Sequence, residues 1–137
     1  MFTLVVPGQP VPQPRVRVST RGGFGRAYTP SKHPIHAYRA AIAALAAGKR
    51  IEGPTALAVE AIFARPASHW RKAGLKADAP RWPRADGDNV LKGIADALTD
   101  AGVWPDDDQV IRWEITKRYG SRAEAARTLI TVTEFAL

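Results

Sequence analysis

The chain has 137 residues, the size of one ordinary domain, and 45% of them are hydrophobic, enough to fill a single modest core. It has no cysteine, which excludes a disulfide framework, a thiolate zinc site and a thiol nucleophile, and which fits a reducing cytoplasm. The formal net charge is +7, and no carboxylate precedes Glu52, so Arg15, Arg17, Arg21, Arg26, Lys32, Arg39, Lys49 and Arg50 stand without an acid among them.

Phe2 to Val6 reads as a short strand ending at Pro7. The run from Met1 to Pro7 has no basic n-region and only a very short apolar stretch, so it does not read as a signal peptide, and no apolar stretch of the chain approaches the roughly 20 residues that span a bilayer. Residues 7–14 hold Pro7, Pro10, Pro12 and Pro14 and are expected to be extended. The alternation from Arg15 to Thr20, the glycine-rich tip around Phe24 and the return over Ala27 to Thr29 predict a hairpin with basic edges. A helix follows over 34–48, with Ile35, Tyr38, Ile42 and Leu45 on its apolar side, Thr29 or Ser31 as cap and Gly48 as stop. Residues 56–64 form a strand. Residues 65–84 read as a long irregular segment with Arg71, Lys72, Lys76, Arg81, Trp70 and Trp82. The second helix is expected from Asn89 to Ala101, buried through Leu91, Ile94, Ala95 and Leu98 and closed by Gly102. Strands over 110–116 and 127–135 complete the order. The expectation is a single α+β (mixed α/β) domain over 1–137, with two main helices packed on a mixed sheet.

The acids gather late. Asp86-Gly87-Asp88-Asn89 precedes the second helix, and Asp106-Asp107-Asp108 follows it. In extended backbone, residues i and i+2 point to one side, so Asp86 and Asp88 would converge. The helix between the two groups is roughly 20 Å long, so a return connection has to bring the triplet back. Like charges about 4 Å apart repel by about 1 kcal/mol in water and about 4 at an effective dielectric of 20, and a cation relieves that repulsion. Oxygen-only ligands suit Mg²⁺, and zinc is disfavoured because His33, His36 and His69 lie away from the acids in sequence. Lys92 stands four residues after Asp88 and four before Asp96. That row is either an ion-pair ladder worth a few tenths of a kcal/mol or an ammonium aimed at a phosphate beside the metal. Asp96 alone reads as structural. Each acidic segment alone also has a bland reading, as a turn or a helix cap.

Asp86-Gly87-Asp88-Asn89-Val90-Leu91-Lys92 with Asp96-Ala97-Leu98, then Gly102 and Asp106-Asp107-Asp108-Gln109-Val110, resembles the RusA family of Holliday junction resolvases, with every fixed position of the pattern D-x-D-N-x-x-K-x-x-x-D-A-L…G-x-x-x-D-D-x-Q-V filled. Gly8-Gln9-Pro10, Pro14-Arg15-Val16-Arg17 and Tyr28-Thr29-Pro30 resemble its phage-type branch. The resemblance implies a cytoplasmic homodimer that cuts four-way junction DNA with Mg²⁺, with Mn²⁺ able to substitute and no membrane or nucleotide cofactor involved. It assigns metal binding to Asp86, Asp88 and Asp107, and catalysis to these with Lys92. Where many members carry Lys-Pro-Asp, this chain reads Pro83-Arg84-Ala85-Asp86, a departure that bears on how the backbone approaches Asp86. The basic residues expected on DNA are Arg15, Arg17, Arg21, Arg26, Lys32, Arg71, Lys72 and Lys76, which would track phosphates without reading sequence. Phe24 or Trp70 could stack on an unpaired base, although edge-of-core packing or a dimer contact is the plainer role for Trp70 and more clearly for Trp82, Trp104 and Trp113. Two other readings stay open. One is a DNA-binding protein with a structural cation site, which would leave DNA intact in Mg²⁺. The other is a nuclease acting on RNA or on other branched DNA, which substrate comparison would reveal.

Overall fold

A computed structural model describes residues 1–14, 17–19, 23 and 25–136, with side chains described outside 17–19 and 26–28. Arg15, Arg21 and Phe24 lie outside the described residues, as do the side chains of Arg17 and Arg26.

The main sheet has four strands: β1 (Phe2–Pro7), β4 (Thr55–Phe63), β7 (Val110–Tyr119) and β8 (Arg127–Glu134), in the order β1-β8-β4-β7. β8 runs antiparallel to β1 and to β4, while β4 and β7 are parallel. A parallel pair needs a long crossover, and here it contains α2 (Gly87–Asp100), the helix of interest. β2 (Arg17–Ser19) and β3 (Arg26–Tyr28) pair antiparallel as the expected hairpin. α1 (Ile35–Ala46) packs against α2 and β1.

The alternation along β4 explains why both helices lie on one face. Thr55, Leu57, Val59, Ala61 and Phe63 are buried, and Leu4, Val6, Thr128, Ile130 and Val132 share their side. Ile35, Ile42, Val90, Ile94 and Leu98 cover that face, each large side chain contributing about 1.5–3 kcal/mol when fully buried. Tyr38 bonds Thr128 Oγ1 through its hydroxyl at 2.6 Å, and burial pushes its phenol up to about 12. Leu45, expected inside, is 43% exposed because α1 turns that position away from the sheet.

Two local expectations change. Neither Thr29 nor Ser31 caps α1; the first-turn N–H of Ile35 is instead taken by His33 Nδ1 at 3.0 Å. Residues 65–84 are not wholly irregular. A 3₁₀ turn at Ala67–His69 leads into a two-strand ribbon, β5 (Trp70–Arg71) and β6 (Gly74–Leu75). Arg65 pins the segment by donating to Pro80 O at 2.6 Å, with its guanidinium 4.2 Å from the Tyr119 ring centroid.

The β4–β7 register shifts once. Val110 lies opposite Thr55, but Arg112 lies opposite Ala56, so Ile111 is an extra residue, a bulge. From there Trp113, Ile115, Lys117 and Tyr119 share the helix side with Leu57, Val59, Ala61 and Phe63.

Candidate active site

α2 begins earlier than its apolar period suggests. Asp86 is its N-cap: the backbone is extended (φ −73°, ψ 115°), and Oδ1 accepts from the Asp88 N–H at 3.0 Å. Gly87 and Asp88 are already helical. The extended backbone expected to make Asp86 and Asp88 converge is thus replaced by a helix start, and one oxygen of Asp86 is spent on the cap. Asp88, Lys92 and Asp96 follow at i, i+4 and i+8 in one row, the first two exposed and Asp96 half-buried. Among the described residues, no ion pair joins Lys92 to Asp88 or Asp96.

A compact turn brings the second acidic segment back. Gly102 has φ +81°, a conformation glycine adopts without strain, and a pair of closing bonds ends the helix: Gly102 N to Thr99 O and Val103 N to Leu98 O. Val103 and Trp104 then enter the core, with Trp104 Nε1 donating to Thr99 Oγ1 at 2.8 Å. Asp106 Oδ1 accepts from the Asp108 N–H at 3.0 Å and starts a 3₁₀ turn, Asp107–Gln109, rather than a strand. Gln109 Nε2 fastens that turn to Ile51 O at 2.8 Å. Asp107 thereby comes to stand against α2.

The electrostatics register this return. Burial raises the Asp107 carboxyl above the usual carboxylate range first; hydrogen bonding and like charge from Asp106 and the charge of Asp96 raise it further, while Lys92 partly offsets them. The acid of α2 that reaches Asp107 is thus Asp96, which its sequence position presented as structural. No three His, Asp or Glu side chains among the described residues lie close enough together to hold a metal as they stand. The acids that act on Asp107 are Asp106 and Asp96, and such carboxylate oxygens suit a hard cation that keeps several waters and takes one or two carboxylates beside a substrate phosphate.

Lys117 carries a role that sequence reading missed. From the helix side of β7 its ammonium donates to Pro83 O at 3.0 Å and to Ala85 O at 2.7 Å. These carbonyls flank Arg84 on the approach to Asp86, where the family-like pattern departs. No sequence signal marks the contact, which spans more than thirty residues.

A cleft of about 540 Å³ opens beside Asp86, walled by Pro10, Pro12, Gln13, His33 and Asn89 among others. His33, distant from the acids in sequence, lines this cleft together with Asp86. Of the basic residues expected on DNA, Lys32, Arg71 and Lys72 are exposed and Lys76 is half-buried. Trp104 is core, as expected. Trp82 is 56% and Trp113 42% exposed, so neither is core in the single chain; Trp82 has Arg84 5.7 Å from its ring centroid, and Trp113 Nε1 donates to Val110 O at 3.0 Å. Trp70 is half-buried beneath Arg122, at 5.0 Å.

A basic chain that brings carboxylates from two segments to one helix has the outline of a metal-assisted nuclease. Residues 7–133 match the endodeoxyribonuclease RusA family, and the chain belongs to that family. It is accordingly an endodeoxyribonuclease, a Holliday junction resolvase, with junction DNA as its substrate and divalent-metal-dependent chemistry. No curated protein matches the chain. Among the described residues, no helix is long and apolar enough to cross a membrane.

Proposed function

We propose that this chain, folded as one domain over 1–137, resolves four-way junctions in the cytoplasm as a homodimer whose two sites hydrolyse paired phosphodiester bonds with Mg²⁺. The observation that carries the reading is the return of Asp107 to the Lys92–Asp96 row of α2, with its carboxyl raised by burial and by neighbouring acids. Such a gathering of like charge is costly without a cation. Asp86, Asp88 and Asp107 would hold Mg²⁺, with Mn²⁺ able to substitute. Bound there, the ion supplies Lewis-acid stabilisation of the scissile phosphate and a water of lowered pKa.

The chain's own residues do the rest. Asp86 keeps one carboxylate oxygen outside its cap bond, and Lys117 holds the backbone that presents it. Lys92, exposed between Asp88 and Asp96, contacts the phosphate and offsets its developing charge. Lys32, Arg71, Lys72 and Lys76, with Arg15, Arg17, Arg21 and Arg26, neutralise phosphates along the junction arms. The test is Asp88→Asn on a synthetic four-way junction, with linear duplex and RNA as controls. The variant should bind the junction as wild type does and lose cutting in Mg²⁺. Cutting at the wild-type rate would overturn the site.

A further inference from the structure

The proline-rich segment before the basic hairpin plays no part in the chemistry above, yet it is built with care. Gly8 N donates to Ala126 O at 3.1 Å, and Gln9 clips to Ala64 through both ends of its amide, at 2.8 and 3.4 Å. Gln13 N donates to Asn89 O at 2.9 Å, in the first turn of α2. The Gln13 amide oxygen is buried against α2, 3.3 Å from where a side chain on Gly93 would begin, so a Cβ there would press on the strap. Asn89 and Gly93 lie one step round the helix from the Asp88–Lys92–Asp96 row, so the strap runs alongside the acids.

We propose that the cleft between this strap and the start of α2 receives one unstacked nucleobase of the strand whose phosphate lies at Asp86. This rests on the junction-cutting reading and names a part of the substrate that reading leaves unassigned. The lining chemistry selects the occupant. Proline rings and Val11 give flat apolar walls, while Asn89, Gln13 and His33 add polar groups. None of the lining residues is a lysine or arginine and one is Asp86, which disfavours a phosphate and favours an uncharged ring with hydrogen-bonding edges. His33 has a defined role. Its Nδ1 accepts from the Ile35 N–H at 3.0 Å, so the neutral ring carries its proton on Nε2 and offers a donor. The volume of about 540 Å³ lies in the range of small-molecule sites, and walls fixed by prolines and backbone bonds need little ordering on binding. Extruding a base from a duplex costs a few kcal/mol and is cheaper where continuous stacking is already broken, as at an open branch, so the pocket favours the branch point over linear DNA.

The experiment measures binding of intact wild-type protein to four-way junctions in EDTA, where no cutting occurs. Each junction carries a single abasic residue at one position flanking the scissile phosphate. At one position the loss of the base should weaken binding about tenfold. His33→Asn keeps an acceptor for the Ile35 N–H and removes the far nitrogen. In that variant the intact junction should bind more weakly, and the penalty for the same abasic residue should shrink to about twofold or less, the mark of two groups acting on each other. Wild-type binding indifferent to every abasic position would overturn the proposal, as would the full tenfold penalty persisting in His33→Asn. A protein that shows the abasic penalty but fails to cut in Mg²⁺ would leave the cleft standing and remove the catalytic reading; one that cuts normally without the penalty would do the reverse.

Discussion

Replacing Lys117 by methionine removes two hydrogen bonds just ahead of Asp86 while keeping a long unbranched side chain on β7. The ammonium bonds Pro83 O at 3.0 Å and Ala85 O at 2.7 Å, and both contacts are partly buried. Hydrogen bonds from a charged donor contribute about 1.5–3 kcal/mol each at best. Water recovers part of this at Ala85, which is half-buried, and less at the buried Pro83, so a net loss of about 1–2 kcal/mol is expected for the pair. In a chain of this size that lowers Tm by about 3–8 °C, and the protein stays folded at 25 °C. Cutting should fall further than stability does, by about tenfold or more, because displacing a reacting group by about 1 Å costs up to about 10²-fold. The assay is single-turnover cleavage of a four-way junction at saturating enzyme, with Tm and junction affinity in EDTA measured alongside. Affinity should stay near wild type, and Lys117→Arg, which retains donors, should recover part of the rate. A lowered Tm with an unchanged cleavage rate would refute the reasoning: the contact would then support the fold and not the placement of Asp86.

Lys92→Ala should slow cutting by about 10²-fold while weakening junction binding by less than about threefold; equal losses in rate and affinity would reduce Lys92 to a phosphate contact. Asp107 has its carboxyl raised by burial and by its acidic neighbours, so the native state holds the proton more firmly than the unfolded chain does, and stability present at low pH is lost as pH rises through the native value. In EDTA, Asp107→Asn should therefore raise Tm at about pH 7 and change it little at about pH 3, while abolishing cutting; no difference between the two pH values in thermal melts would count against this. Glu124 has the opposite sign. Its bond to Arg118, helped by the Ser121 N–H, lowers it to about 2, so its contribution is present above the ordinary carboxylate value and is lost as pH falls through about 2. Glu124→Gln should lower Tm at neutral pH, with the gap closing in melts taken from about pH 4.5 down to 2.

The parts of this molecule that announce themselves in sequence are those governed by local period and by turn chemistry. Leu91, Ile94 and Leu98 repeat at helical spacing and are buried as expected, and Gly102 ends α2 because only a residue comfortable at positive φ closes the helix with those two bonds. The mixed sheet with two helices followed from the same patterns. What stayed hidden depends on neighbours distant in the chain or on competition between local options. Asp86 could have been an extended acid or a helix cap, and the orphan N–H of Asp88 decides for the cap. His33 takes the role assigned to Thr29 or Ser31 because its ring nitrogen reaches Ile35 N–H from the adjoining turn. Trp82 and Trp104 look alike as letters, but Thr99 offers Trp104 a buried partner for its indole N–H, while Trp82 finds an arginine at the surface. Lys117 and the coupling of Asp96 to Asp107 exist only once β7 has docked beside α2.

The extra residue at Ile111 makes the sidedness of β7 count from Trp113 and not from Val110. Length changes ahead of Trp113 meet a place where the ladder already tolerates an unmatched residue. A single deletion or insertion between Trp113 and Lys117 meets strict two-residue alternation, and it would rotate the lysine to the opposite surface of the sheet, away from Pro83 and Ala85. Variation among natural or engineered versions of this strand should therefore be sparing of its middle and permissive at its beginning, a grammar imposed by one loop-side lysine and the backbone it holds.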